Sequence, residues 1–218
     1  MESTIMEPDM QPPAELKTGT TTIAMIAKDC VVLASDQRAT MGLLIANKTA
    51  KKIYKITDRI GATIAGSVAD AQQIMDLLIA EAKLFEIQRG RPIRVKALTR
   101  LLSNILFQGR GAYLLGSLVG GFDDEGPQVF YTDPIGSVIP DNYVASGSGS
   151  PVALGVLESQ YSEDLTKKKA IDLAVHAIAA AIERDAATGN SILVSVIDKD
   201  GYQEVPKETI LKIWKGQE

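Results

Sequence analysis

Residues 20–36, TTTIAMIAKDCVVLASD, are almost entirely β-branched or apolar, and only Lys28 and Asp29 break the run. Two short strands joined by a turn are the elements this pattern predicts. Further strand patterns follow at 43–46, 52–56 and 60–65. From Val68 the period changes: Val68, Ala71, Ile74, Met75, Leu78, Ala82 and Phe85 recur every three or four residues, as on one face of a helix. After the Arg89-Gly90-Arg91-Pro92 break, Val95, Leu98, Leu102, Ile105 and Leu106 draw a second helix. Strands return at 114–122, 128–131 and 137–139, and a Gly/Ser loop at 146–150 leads into a helix opened by Pro151. A proline suits that place because a first-turn N–H has no intrahelical partner to lose. Another helix is predicted from about 166 to 184, with Ile171, Val175, Ile178 and Ile182 in one stripe. The strand at 192–197 meets a hairpin signal at Asp200-Gly201, and a short helix follows near Trp214.

Blocks of strands separated by blocks of helices, without strict βαβ alternation, predict an α+β fold. Two antiparallel sheets face to face, each covered outside by a helix pair, bury every apolar stripe. The expected architecture is therefore a four-layer αββα sandwich with one domain and no internal repeat. Residues 1–19 stand apart, with three of the nine prolines, three of the six methionines, four acids and one lysine. They carry no usable periodicity and read as an irregular tail.

Composition narrows the chemistry. The 218 residues, 45% apolar and 23% charged, suffice for one full core. One cysteine and one histidine exclude an intrachain disulfide and the usual Cys/His zinc site. A net charge of −4, no Lys/Arg run and 5% aromatics leave no footprint for nucleic acid. No apolar run approaches the roughly 18 residues of a membrane span, and no secretory signal opens the chain. A lone cysteine fits a reducing compartment, so a soluble cytoplasmic protein is expected. His176, off the apolar stripe and four residues from Asp172, reads as half of a helix-surface pair, and Cys30 as a small buried apolar residue. If the protein is an enzyme, nucleophile and base come from elsewhere.

The sharpest local feature is Gly19-Thr20-Thr21-Thr22, where the tail meets the first strand. A threonine hydroxyl needs a neighbouring base to act as a nucleophile. One economical base is a free α-amine on the same residue, whose ordinary pKa of about 7.7–8.0 lies near working pH. That amine exists only if the bond after Gly19 is cut. The competing reading is that three threonines simply begin a strand they favour.

The blocks TGTTT, VVLASDQRAT, NKTAKKIYKI, IAGSVADAQ, LLSN, VGG, YVASGSGSP, GVLESQYSEDLT and ERDAATGN follow one another in order across nearly the whole chain from Thr20. In this series the sequence resembles an archaeal-type 20S proteasome β subunit, a threonine protease of the N-terminal nucleophile hydrolase superfamily. The resemblance implies that residues 1–19 are a propeptide removed by autocatalytic cleavage between Gly19 and Thr20, leaving 20–218 as the mature catalytic domain. It makes Thr20 the nucleophile, its own amine the general base, and places Asp36 and Lys52 at the family's acidic and lysine positions. An ammonium there lowers the pKa of the Thr20 amine, and the carboxylate holds and orients the lysine. Gly66 matches the backbone N–H donor to the oxyanion, and Ser148 and Asp185 match the pair that orients the threonine amine. Thr188 stands where serine is more usual; its hydroxyl is expected to keep the hydrogen-bonding role.

Taken singly, each residue also has a structural reading: Asp36 with Arg38 as a strand-end ion pair, Lys51 and Lys52 as a solvated strand face, SGSGS as a flexible loop, Asp185 as the acid at a helix end. The resemblance further implies peptide hydrolysis without metal or organic cofactor, and a substrate pocket at Ala39, Ile64 and Val68. Those side chains are apolar, so cleavage after large hydrophobic residues is expected. The implied partners are α subunits and other β subunits in stacked seven-membered rings, a ring ATPase, and unfolded polypeptides, with no nucleic acid or membrane. A non-catalytic structural β subunit, a bacterial-type ATP-dependent threonine protease and a plain binding module remain as alternatives. Intact Thr20, Asp36 and Lys52 argue against the first, and the SGSGSP and ESQYSEDLT blocks against the second.

Overall fold

The computed structural model describes residues 19–216, so the expected irregular tail lies, save for Gly19, outside the described residues. In chain order the elements are β1 (Thr22–Ala27), β2 (Cys30–Asp36), β3 (Ala39–Met41), β4 (Leu44–Asn47), β5 (Ile53–Thr57), β6 (Ile60–Gly66), α1 (Val68–Arg89) and α2 (Val95–Gly109). They continue with β7 (Leu115–Asp123), β8 (Gly126–Thr132), β9 (Val138–Pro140), β10 (Tyr143–Ser146), α3 (Ser150–Gln160), α4 (Lys167–Arg184), β11 (Ile192–Asp198), β12 (Gly201–Glu204) and α5 (Lys207–Trp214).

Local chemistry sets the helix ends. Ser67 caps α1 by accepting the Asp70 N–H, and Gly90 ends it in the left-handed conformation at φ +65. Thr166 caps α4 in the same way through Lys169 N–H, and Pro151 lies in the first turn of α3. Two strands escaped the pattern reading. β3 and β10 are three and four residues long and half-exposed, too short for alternation to register.

Two five-stranded antiparallel sheets form, ordered β10-β1-β2-β11-β12 and β5-β6-β7-β8-β9, with β3 and β4 as a separate hairpin. Three apolar clusters define the layers. Ile23, Met25, Val32, Val194 and Val196 pack the first sheet against Leu157, Ala174 and Ile178 of α3 and α4, with Ile210 of α5 alongside. Ile64, Leu115 and Val119 pack the second sheet against Ile74, Leu78, Leu98 and Leu102 of α1 and α2. Between the sheets lie Ala24, Val31, Leu33, Ile53, Leu118, Val129 and Ile197. This is the expected αββα sandwich, with α5 as an addition to the helix pair on the first sheet. Among the described residues, no helix is long and apolar enough to cross a membrane.

Register places one end of both sheets in position for chemistry. β1 begins where β2 ends, Thr22 facing Ser35, while Ser146 at the end of β10 faces Thr22 from the other side. β11 begins opposite Asp36, which brings in the loop that follows α4. On the second sheet, Lys52 immediately precedes β5 and Gly66 ends its antiparallel neighbour β6, so both lie at the same end of the strands; the Ile64 N–H donates to Lys52 O.

Candidate active site

Thr20 precedes β1 and is 6% exposed. Its backbone N–H donates to Ser148 Oγ at 3.2 Å. Ser148 Oγ lies 2.5 Å from Asp185 Oδ2 and 3.3 Å from Thr20 O. A hydroxyl has a single proton, and the carboxylate oxygen at the shorter distance takes it. Thr188 Oγ1 also lies 2.5 Å from Asp185 Oδ2, and Thr21 Oγ1 is 2.7 Å from Thr188 Oγ1. Because Thr188 donates to the carboxylate, Thr21 donates to Thr188. Both chains of donors, Thr20 N–Ser148 and Thr21–Thr188, thus end on Asp185. The hydroxyl at position 188 keeps its hydrogen bond to the carboxylate with threonine in place of serine.

Asp36, at the end of β2, is fully buried, with both oxygens satisfied. Oδ1 accepts from Lys52 Nζ at 2.7 Å and Thr21 N at 3.0 Å; Oδ2 accepts from Arg38 N at 3.0 Å and Gly189 N at 2.9 Å. Lys52, 3% exposed, also donates to Arg38 O at 2.5 Å. Burial pushes its ammonium below the usual lysine value, and the Asp36 carboxylate acts against that shift. Lys52 is therefore no solvated strand residue, whereas Lys51 is exposed and sits 4.9 Å over the Tyr54 ring. Arg38 forms no strand-end pair with Asp36 through its guanidinium. That group reaches across to Ala186 O at 2.8 Å and Asn190 Oδ1 at 2.9 Å, tying the loop after α4 to the segment between β2 and β3.

Glycines bring these segments into contact. Gly66 has φ +129, and a Cβ there would fall 2.0 Å from Leu114 O. At Gly147, with φ +95, it would fall 2.1 Å from Thr20 O, so the alternating glycines of SGSGS let the loop close on the threonine. That loop is tied down, with the Gly149 N–H donating to Thr20 O at 3.4 Å.

A cavity of about 30 Å³ is lined by Thr20, Lys52 and Gly66 together with the three pocket residues Ala39, Ile64 and Val68. Asp36, Ser148 and Asp185 join through the hydrogen bonds above, so the candidate catalytic and pocket residues meet at this end of the sandwich. Thr40 and Gly189 join the site with no role assigned to them from the sequence, and the side-chain partners of Thr21 and Arg38, Thr188 for the one and Ala186 and Asn190 for the other, lie far along the chain where no local signal reaches. His176 is exposed on α4, and among the described residues it makes no ion pair with Asp172 within 4.0 Å. Cys30 is buried, and burial pushes its thiol up to about 11.

The site thus joins a threonine at a strand start, its nitrogen tied to a hydroxyl–carboxylate relay, to a buried Lys–Asp pair whose lysine lines the same cavity, with neither histidine nor cysteine among these groups. The sequence matches the family described as proteasome subunit over residues 16–197. It is 47% identical over 203 residues to a protein of Methanopyrus kandleri, covering 91% of this chain and 97% of the relative. It is 49% identical over 199 residues to one from Methanosphaerula palustris (90% and 94%), and 51% identical over 192 residues to one from Methanoculleus marisnigri (87% and 90%). All three relatives are named proteasome subunit beta. The chain belongs to the proteasome subunit family, as a β subunit of the archaeal type.

Proposed function

We propose that this chain is the proteolytic subunit of its proteasome core, an N-terminal threonine endopeptidase. The observation that carries the reading is the 3.2 Å bond from Thr20 N to Ser148 Oγ, beside the buried Asp36–Lys52 pair. The nitrogen required as base is already held in place, and only its amide bond to Gly19 prevents it from accepting a proton.

Self-cleavage supplies the amine. Thr20 Oγ attacks the Gly19 carbonyl carbon, the new C–O bond replaces the C–N bond, and the hydroxyl proton ends on the Thr20 nitrogen. Water then hydrolyses the ester, which releases residues 1–19 as a carboxylate and restores the hydroxyl. Substrate cleavage repeats the sequence with the free amine as base: an acyl-enzyme ester forms, the leaving amine takes the proton, and water resolves the ester. Lys52 depresses the pKa of the Thr20 amine, Ser148 and Asp185 orient it, and the Gly66 N–H stabilises the oxyanion. No cofactor enters this chemistry.

Ala39, Ile64 and Val68 offer only apolar surface beside Thr20, which supports cleavage after large hydrophobic residues. Exposed apolar side chains on the β3–β4 hairpin and on α1 and α2, among them Leu43, Leu44, Ile87 and Phe107, support burial against neighbours. We place the chain in stacked seven-membered β rings between α rings, in the cytoplasm, with unfolded polypeptides delivered by a ring ATPase.

Intact mass of the assembled protein tests the reading. Loss of the first 19 residues, with fluorogenic peptides ending in tyrosine or leucine cut faster than those ending in arginine or glutamate, is the expected result. Thr20→Ala should retain the full chain and show no turnover; turnover comparable to the parent would mean that the nucleophile is misassigned.

A further inference from the structure

We infer that the Thr40 hydroxyl positions the scissile segment for self-cleavage, by holding the amide on the far side of the carbonyl that Thr20 attacks. This rests on the reading of Thr20 as a self-processing nucleophile. The Gly19 N–H donates to Thr40 Oγ1 at 3.0 Å in a buried setting. The next N–H along the chain, that of Thr20, donates to Ser148 Oγ. The Gly19 carbonyl thus lies between two anchored nitrogens, one held from β3 and the other from the loop after β10. Gly19 itself has no room to shift toward Ala187, because a Cβ on it would fall 1.7 Å from Ala187 Cβ.

β3 is shaped for this contact. Ala39 pairs with Asn47 and Thr40 with Ile45, so Ala46 is an extra residue on β4 and the ladder bulges at Ala39/Thr40. A bulge re-aims the side chain beside it. Thr40 is buried at 7% exposure, while its neighbour Met41 and its partner Ile45 are 59% and 40% exposed. The same short segment accepts Lys52 Nζ at Arg38 O, so the lysine and the scissile peptide are positioned from one piece of backbone. Fixing the attacked carbon relative to the hydroxyl counts because misplacement by an ångström costs on the order of 100-fold in rate.

The experiment follows release of residues 1–19 by intact mass, over time, in the full-length chain assembled with its partner subunits. Thr40→Val keeps the β-branched shape and removes the hydroxyl, and Thr40→Ser keeps the hydroxyl. Release should slow about 10- to 100-fold in the valine variant and stay near the parent rate in the serine variant. Parent-like release in Thr40→Val overturns the inference, as does equal slowing in both variants, which would point to packing instead of the hydroxyl. Release in Thr20→Ala would instead sink the self-processing reading on which the inference rests. If Thr40→Val fails to assemble, a crystal structure of the Thr20→Ala precursor decides. A Gly19 N to Thr40 Oγ1 separation within about 3.5 Å supports the inference and a longer one overturns it.

Discussion

Two ion pairs in this protein have the same length and should respond very differently to the same change. Lys52–Asp36 and Lys55–Asp58 both measure 2.7 Å, but the side chains of the first are 4% and 0% exposed and those of the second 49% and 88%. Replacing Asp36 by asparagine swaps one carboxylate oxygen for an NH₂. Each oxygen accepts from two donors, so whichever way the amide turns, two donors face a donor. Either the Lys52 ammonium and Thr21 N–H, or the N–H groups of Arg38 and Gly189, lose their acceptor where water cannot replace it. Breaking a buried pair by removing one partner costs about 3–5 kcal/mol, a range that already includes the charge left unpaired. For a domain of this size each kcal/mol corresponds to about 2–4 °C, so the melting temperature of Asp36→Asn should fall by about 6–20 °C. Asp58→Asn removes an exposed pair that water and salt already screen, and should leave the melting temperature unresolved from the parent. All three proteins are compared by calorimetry at one protomer concentration, because assembly shifts the midpoint by mass action. Peptide hydrolysis should be lost in Asp36→Asn alone. Equal melting temperatures for the two variants would refute the claim that burial gives the Asp36 pair its weight.

Gly19→Ala places a Cβ 1.7 Å from Ala187 Cβ, so release of residues 1–19 should slow sharply by intact mass, and Gly19→Ala combined with Ala187→Gly should recover part of the rate. Thr188→Ser keeps the donor to Asp185 and should match the parent in peptide hydrolysis. Thr188→Val leaves the buried Thr21 hydroxyl without its acceptor and should lose about 1–3 kcal/mol of stability by denaturant titration. Cys30 holds its proton up to about 11 in the folded chain against 9.0 ordinarily. Between those values the unfolded chain binds fewer protons than the folded one, so the stability contributed by this group falls as pH rises. The melting temperature of the parent relative to Cys30→Ala should therefore drop from below pH 9 to pH 11, and a flat difference would contradict the assigned cause.

Periodicity, turn residues and order of elements were enough to predict two antiparallel sheets between helix layers, because those signals act over a few residues and each stripe needs a partner. The helices at 68–89, 95–109 and 167–184 appear within a few residues of where the apolar spacing puts them. Composition alone removed an intrachain disulfide and the usual Cys/His zinc site from consideration, and the ordered motifs pointed to Thr20, Asp36 and Lys52. What the chain could not express locally is which of two adjacent lysines is buried. Lys51 and Lys52 look alike in sequence, and only the meeting of β5 with the segment that follows β2 places one against Asp36 and the other over Tyr54. The contacts at Thr20, Thr40 and Arg38 likewise span 128, 21 and 152 residues of chain. Local pattern determines the elements because it reflects which face is dry. The site needed the tertiary structure, because its hydrogen bonds and its burial exist only once the ends of both sheets share one volume from which water is excluded.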